Sequence, residues 1–183
     1  MIVKYKGTYI FTSERLGFRA WNENDYEPFA AMNSNENVME YFPKTLSKAE
    51  SDNFVTKIKS RFKEFEYGLY AVDELNTNEF IGFIGFAYPS FDLGISGLIE
   101  IGWRIREDKW NQGFATEGAK TCLQFGFDQL NFKDIYSFTS KVNTKSERVM
   151  QKIGMNKVKE FEHPKIESGS HLKTHVLYKI GNL

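Results

Sequence analysis

The sequence predicts an α/β (α+β) fold built on one mixed sheet, and three observations carry that prediction. Ile99, Ile101, Trp103 and Ile105 alternate with Glu100, Gly102, Arg104 and Arg106, the period of two of a strand with one buried face. From Ala115 onward, Ala119, Cys122, Leu123, Phe127 and Leu130 recur at spacings of three and four, the period of an amphipathic helix. Along the chain, two helices precede a pair of strands, and the order then runs β-α-β-α-β-β, as helices packed on a sheet require.

Taken in order, Thr8 to Ala20 reads as an extended first strand with Leu16 and Phe18 inward. The polar run Asn22-Glu23-Asn24-Asp25 opens a helix with Tyr26, Phe29, Ala30 and Met32 on its apolar face, ended by Asn33-Ser34-Asn35. Tyr41-Phe42-Pro43 is an aromatic loop. Ser47-Lys48-Ala49-Glu50 is a capping box, in which serine and glutamate satisfy helix-start N–H groups reciprocally. The long helix it starts buries Phe54, Ile58, Phe62 and Phe65, and Gly68 closes it. Leu69 to Val72 and Phe80 to Tyr88 are strands joined by the turn Asn76-Thr77-Asn78, and Pro89 ends the second. A loop over Ser90 to Gly97 precedes the strand that begins at Leu98.

After the helix that starts near Gly113, Ile135 to Thr139 is a short strand. Asn143 opens a further helix that ends at Gly154, with Thr144-Lys145-Ser146-Glu147 as a second capping box and Val149, Met150 and Ile153 inward. Lys157 to Glu162 and Leu172 to Ile180 complete the strands.

The 183 residues are the size of one domain, taken as 1–183, with no internal repeat or linker. Twenty-four basic residues balance 24 acidic ones, so no global field recruits nucleic acid or an acidic membrane. The single cysteine, Cys122, falls on the apolar stripe of its helix and reads as a buried small hydrophobe in a reduced, cytoplasmic protein. The first residues, MIVKYKGTYI, lack the apolar core of a signal peptide, and no apolar run approaches bilayer length. A soluble protein without a membrane partner is expected.

The segment Asn111-Gln112-Gly113-Phe114-Ala115-Thr116 joins strand to helix. Gly113 and Ala115 keep side chains away, so successive N–H groups at the helix start are free to point at an anion such as a phosphate. The bland reading is a bend that only needs a glycine. Neither GxxxxGK[ST] nor GxGxxG is present, which argues against a nucleotide-binding α/β protein. Asn143 and Ser146 are in the same way open to helix capping or to ligand binding. Glu100 shares its strand face with the bare backbone of Gly102, and reads as a general base or as a solvent-facing carboxylate.

Together the run EIGWRI…WNQGFATEGA, Gly113-Phe114-Ala115 and Asn143 resemble the GNAT (GCN5-related) N-acetyltransferase superfamily, in particular its ribosomal-protein N-terminal acetyltransferase branch. The resemblance spans Thr12 to Ile180. It implies the GNAT fold, a mostly antiparallel sheet of about seven strands flanked by about four helices. Trp110 stands where the generic loop motif has Gln or Arg, and Met150 where many members carry an acid tyrosine. The resemblance implies Glu100 as base and Ser146 as acid. It implies a coenzyme site from Trp103, Arg104, Ile105, Gln112, Gly113, Phe114, Ala115, Thr116, Asn143 and Arg148, with Lys145 beside the phosphates.

What it implies chemically is direct transfer of an acetyl group from acetyl-CoA to a primary amine in a ternary complex, without a metal. An α-amine with pKa near 8 is about one-tenth neutral at pH 7, so a modest carboxylate base suffices for it. The acceptor is left open among a protein N-terminus, a small amine, an amino sugar and an antibiotic, and a homodimer is left open too. Trp21, Tyr41, Phe42, Phe86 and Tyr88 fall where they are able to wall an acceptor cleft. His171 and His175 sit in a strand-like alternation, about 13 Å apart, too far to share a zinc. His163 and His175 resemble acceptor-side residues of an acetyltransferase subgroup. The rival reading is a non-catalytic acyl-CoA sensor on the same fold.

Overall fold

The computed structural model describes residues 7–182. Residues 1–6, on which part of the leaderless reading falls, lie outside the described residues. Eight strands form one sheet: β1 (Phe11–Thr12), β2 (Leu16–Arg19), β3 (Leu69–Glu74), β4 (Glu79–Ala87), β5 (Glu100–Ile105), β6 (Asp134–Ser140), β7 (Asn156–Glu162) and β8 (Thr174–Gly181). Four α-helices accompany them, α1 (Tyr26–Ser34), α2 (Lys48–Phe65), α3 (Phe114–Asp128) and α4 (Thr144–Lys152). The sheet order is β1-β2-β3-β4-β5-β6-β8-β7, and every neighbouring pair is antiparallel except β5 and β6.

The expected first strand is a hairpin. Arg15 sits at its bend, and Phe11 pairs with Phe18 across it. This adds one strand to the seven expected. The capping box at Ser47 forms as read, with Glu50 accepting from the Ser47 backbone. The helix it starts ends earlier than expected, at Glu66 in the left-handed region (φ 61°) and not at Gly68. The second capping box does not form. Asn143 is the N-cap of α4, and its amide oxygen takes the Ser146 N–H. With Asn143 as the cap, Thr144 already lies in the helix, and the Glu147 N–H that its hydroxyl was expected to meet donates to the Asn143 backbone carbonyl.

The sheet alternation divides the core. On one face Leu16, Phe18, Tyr70, Ile84, Phe86 and Ile101 pack under α3 and α4. Gly118 is what lets α3 lie so close, since a Cβ there would stand 2.3 Å from Ile84 Cδ1. On the other face Ala71, Phe80 and Phe83 meet Phe29, Met32, Val55 and Ile58 of α1 and α2. Cys122 is fully buried under α3, as its stripe position requires.

Arg19 lies between these layers. Its Nε and Nη2 meet both oxygens of Asp73, and Nη1 and Nη2 meet both oxygens of Asp25, at 2.7 to 2.8 Å. A buried cation with two buried carboxylates satisfies its in-plane donors and locks β2, β3 and the turn before α1.

Candidate active site

The site starts where the sheet opens. Parallel β5 and β6 share one register pair, Glu100 with Tyr136, and the Tyr136 N–H reaches Ile99 O. Beyond that rung the strands pair no further, so Ile101, Trp103 and the Ile105 N–H present backbone on the β6 side without a strand partner. Unpaired strand backbone is a template for an extended amide-bearing ligand. The helix starts of α3 and α4 follow directly on these two strands.

At the α3 start, Asn111 (φ 59°) and Gly113 (φ 85°) are both left-handed, a conformation glycine adopts freely and other residues resist. Gly113 is the N-cap and provides no side-chain cap. The first backbone bond of the helix runs from Glu117 N to Gly113 O, which leaves the N–H groups of Phe114, Ala115 and Thr116 without a helix acceptor. These donors and the helix dipole suit a pyrophosphate.

Several loop side chains are engaged elsewhere, so the loop would bind through its backbone. The Phe114 ring is 3 % exposed in the main core, under the Arg15 guanidinium at 4.4 Å. Gln112 turns back, its amide donating to Asp108 O at 3.0 Å. Arg15 itself went unread in the sequence. It donates to Gln112 O at 3.1 Å and pairs with Glu117, fastening the loop to the β1–β2 bend. No local pattern marks it, because its partners lie about a hundred residues away along the chain.

Trp110 occupies the aberrant motif position. Its indole N–H donates to Ile105 O at 2.8 Å, and Lys145 of α4 lies 4.6 Å from its ring centroid. The α4 start is equally defined. Asn143 uses its oxygen for Ser146 N–H and its Nδ2 for Thr139 Oγ1 at 3.0 Å, so its amide is first a cap. Ser146 is half-buried beside it, and Arg148 is exposed. Met150, at the position of the family's tyrosine, is fully buried.

Glu100, Gly102 and Arg104 line one face of β5, the face toward α1 and α2. Trp103 and Ile105 lie on the other, packed in the main core, so only their backbone is available to a ligand. Glu100 makes no side-chain hydrogen bond among the described residues, and burial pushes its carboxyl up to about 8. A Cβ on Gly102 would meet only Glu100 Oε1, at 3.9 Å, so the backbone between Glu100 and Arg104 is bare.

Arg104 departs from the solvent-facing position its alternation predicts. It is 9 % exposed, and its Nη1 donates to Asn33 Oδ1 at 2.6 Å. Asn33 is in turn fully buried and tied to Ser51 of α2. Phe42, Phe54 and Phe83 surround the guanidinium, with Phe42 nearest at 4.2 Å. A side chain read as a coenzyme contact thus belongs to the acceptor face, and its backbone pairs with Phe83 of β4 and not with the open β6 side.

The other acceptor expectations divide. Phe42 is exposed over Arg104, and Tyr41 is half-buried in the same loop. Phe86 is a correction: it is 1 % exposed, on the α3 face against Phe132 and Tyr67, because its place in β4 points it into the core. Trp21 is likewise core, its N–H bonded to Leu69 O. Tyr88 shares a 2.5 Å hydrogen bond with Tyr67 beyond the end of β4. His163 and His175 come together at 4.8 Å between ring centroids, within Phe91, Phe138 and Phe161. His171 precedes β8 and lies outside that strand. Among the described residues no cluster of three or more His, Cys, Asp or Glu is placed to hold a metal.

Residues 15–156 match the family model described as an acetyltransferase (GNAT) domain. An uncharacterized N-acetyltransferase of Bacillus subtilis, YnaD, is 32 % identical over 147 residues, 80 % of this chain and 82 % of the relative. The crystal structure of an acetyltransferase (GNAT family) from Bacillus anthracis superposes with a TM-score of 0.78 at 29 % identity, covering 93 % of this chain and 96 % of its own. Spermidine N-acetyltransferase from Vibrio cholerae, solved in complex with CoA and spermine, shares the fold at TM-score 0.73 and 19 % identity, over 91 % and 95 % of the two chains. The opened β5–β6 rung, the uncapped α3 start and these matches agree, and the chain belongs to the GNAT family of N-acetyltransferases.

Proposed function

We propose that this N-acetyltransferase moves an acetyl group directly onto a primary amine, with Glu100 as general base and Ser146 as the proton donor to the departing thiolate. The observation that carries the reading is Glu100: a carboxyl without a hydrogen-bond partner among the described residues, beside bare Gly102 backbone, at the last rung before β5 and β6 part. A base of about 8 matches the ammonium of an α-amine, so proton transfer between them is nearly balanced.

Acetyl-CoA supplies the activated acyl group as a thioester. The N–H groups of residues 114 to 116 hold its pyrophosphate, with Lys145 and Arg148 near the phosphates. The free edge of β5, at Trp103 and the Ile105 N–H, pairs with the pantetheine, Asn143 closes the other side, and a β5 N–H steadies the oxygen that becomes negative during attack. Tyr41 and Phe42 wall the acceptor. The chain's resemblance to the ribosomal-protein branch supports a protein N-terminal amine as one acceptor class, and a small amine as the other. A cytoplasmic protein fits the pattern of a buried, unpaired cysteine, and among the described residues no helix is long and apolar enough to cross a membrane.

The test is a thiol-release screen with acetyl-CoA against amines and N-terminal peptides, repeated with longer acyl-CoA donors. Release from acetyl-CoA, lowered about a hundredfold or more in Glu100→Gln, is expected. Release only from longer donors overturns the acetyl assignment. Buried Met150 in place of an acid supports the second reading, a non-catalytic acyl-CoA sensor, which tight coenzyme binding without turnover of any amine would establish.

A further inference from the structure

We infer that the acceptor carries a carboxylate several bonds from its reacting nitrogen, and that the Nε–Nη2 edge of Arg104 binds it. The inference rests on the acetyl-transfer reading above and adds the class of amine.

The chain contains its own control. Arg19 and Arg104 are buried alike, at 8 % and 9 % exposed. The Nε–Nη2 edge of Arg19 grips both oxygens of Asp73. Among the described residues the same edge of Arg104 grips nothing: Nη1 bonds Asn33, and the buried Nε has no acceptor. Nor does any carboxylate of the chain form an ion pair with it among the described residues. A buried guanidinium is costly unless its donors are met, and the planar fork left open here is the shape that takes a carboxylate bidentately.

The surroundings preserve that fork. Phe42, Phe54 and Phe83 attract the cation through their ring faces, at 4.2, 5.9 and 5.5 Å, and offer no acceptor for its in-plane donors. Of the three rings, only Phe42 is exposed, and it lies over the guanidinium from the 35–47 loop.

Position then defines the ligand. Glu100 and Arg104 are four residues apart on one strand face, about 13 Å between Cα atoms, and their side chains shorten that gap. Gly102 keeps the floor between them clear. An amine at Glu100 and a carboxylate at Arg104 are joined by a chain of about six or seven bonds at ordinary bond lengths. A polyamine would instead set a second cation against Arg104, which like-charge repulsion disfavours.

Two matched pairs test this with acetyl-CoA: ε-aminohexanoate against ε-aminohexanamide, and glycyl-glutamate amide against glycyl-glutamine amide. The first pair represents small amino acids and the second a peptide N-terminus with an acidic neighbour. In at least one pair, kcat/KM for the acid exceeds that for its amide by about tenfold to a hundredfold, through KM. Arg104→Met brings the acid-to-amide ratio of kcat/KM to about one, while Arg104→Lys keeps part of the preference. Equal use of acid and amide by the wild type in both pairs overturns the inference, as does an Arg104→Met variant that binds coenzyme normally and loses both substrates alike. If no amine is turned over, calorimetry at saturating coenzyme A reads the same pairs. Arg104-dependent binding of an acid then upholds the anion site while removing the catalytic reading, and equal binding overturns the site.

Discussion

Lys145 holds its ammonium 4.6 Å from the ring centroid of Trp110, joining the first turn of α4 to the loop that leads into α3. The residue that breaks the generic loop motif is therefore a strut between the two helix starts. Trp110→Ala is expected to lose about 2 kcal/mol of stability, from the indole–Ile105 hydrogen bond and its packing. Coenzyme Kd should rise by about tenfold, because the loop it fixes no longer presents its donors together. Lys145→Met should raise Kd only a few-fold. Urea denaturation and calorimetric titration with coenzyme A measure the two effects.

Gly113 to alanine separates backbone strain from steric conflict. Its φ of 85° costs an alanine about 1–2 kcal/mol, whereas the new Cβ would meet only Arg15 Nη2, at an ordinary 3.5 Å. The variant should fold with a lowered melting temperature and bind coenzyme A several-fold more weakly. Unchanged binding would show that the N–H groups of residues 114 to 116 hold no phosphate.

For Glu100 the pH dependence follows from its raised carboxyl. A base must be ionised, so kcat/KM should climb with pH and level off above about 8. Glu100→Gln should lower kcat by about a hundredfold or more and flatten that climb. Stability runs the opposite way. The folded state favours the neutral acid, so the contribution of Glu100 is present below the unfolded carboxyl pKa of 4.5 and is lost as pH rises through about 8. Glu100→Gln should consequently melt higher than the wild type at pH 9 and much the same at pH 4.

The histidine pair predicts an acid limit. Burial lowers His163 to about 4, with His175, Lys165 and Lys173 adding repulsion, and burial also lowers His175. Both rings are favoured neutral when folded. Their stabilisation is whole above the unfolded value of 6.5 and is lost as pH falls from there toward about 4. His163→Phe should retain more of its melting temperature than the wild type between those limits, as followed by circular dichroism.

Arg19→Met should cost about 3–5 kcal/mol in urea denaturation, because it strands Asp25 and Asp73, 1 % and 5 % exposed, without their cation. Arg104→Met strands no carboxylate and should cost less. Equal losses would mean that Arg104 serves stability alone.

Most of the framework was legible because it rests on neighbours in the chain. The strand around Ile101 to Ile105, the Ser47 capping box and the apolar stripe through Cys122 rest on local spacing, and each appears in place, with Arg104 the exception to the strand's burial alternation. Errors came where two local choices compete. Asn143 outcompeted Thr144 as cap, and Glu66 closed α2 ahead of Gly68.

The sequence by itself determined the family, the strand–loop–helix unit around Gly113 and the placement of Glu100 beside Gly102 on one strand face, since each depends on residues within a few positions of one another. Only the tertiary structure decided which side chains share a space. It sent Phe86 into the core, tied Arg15 to the α3 loop, and left the Arg104 fork open while closing that of Arg19. The physical reason is that a hydrogen-bond partner or a packing neighbour 50 to 100 residues away is chosen by how the layers meet, and no local period encodes that meeting.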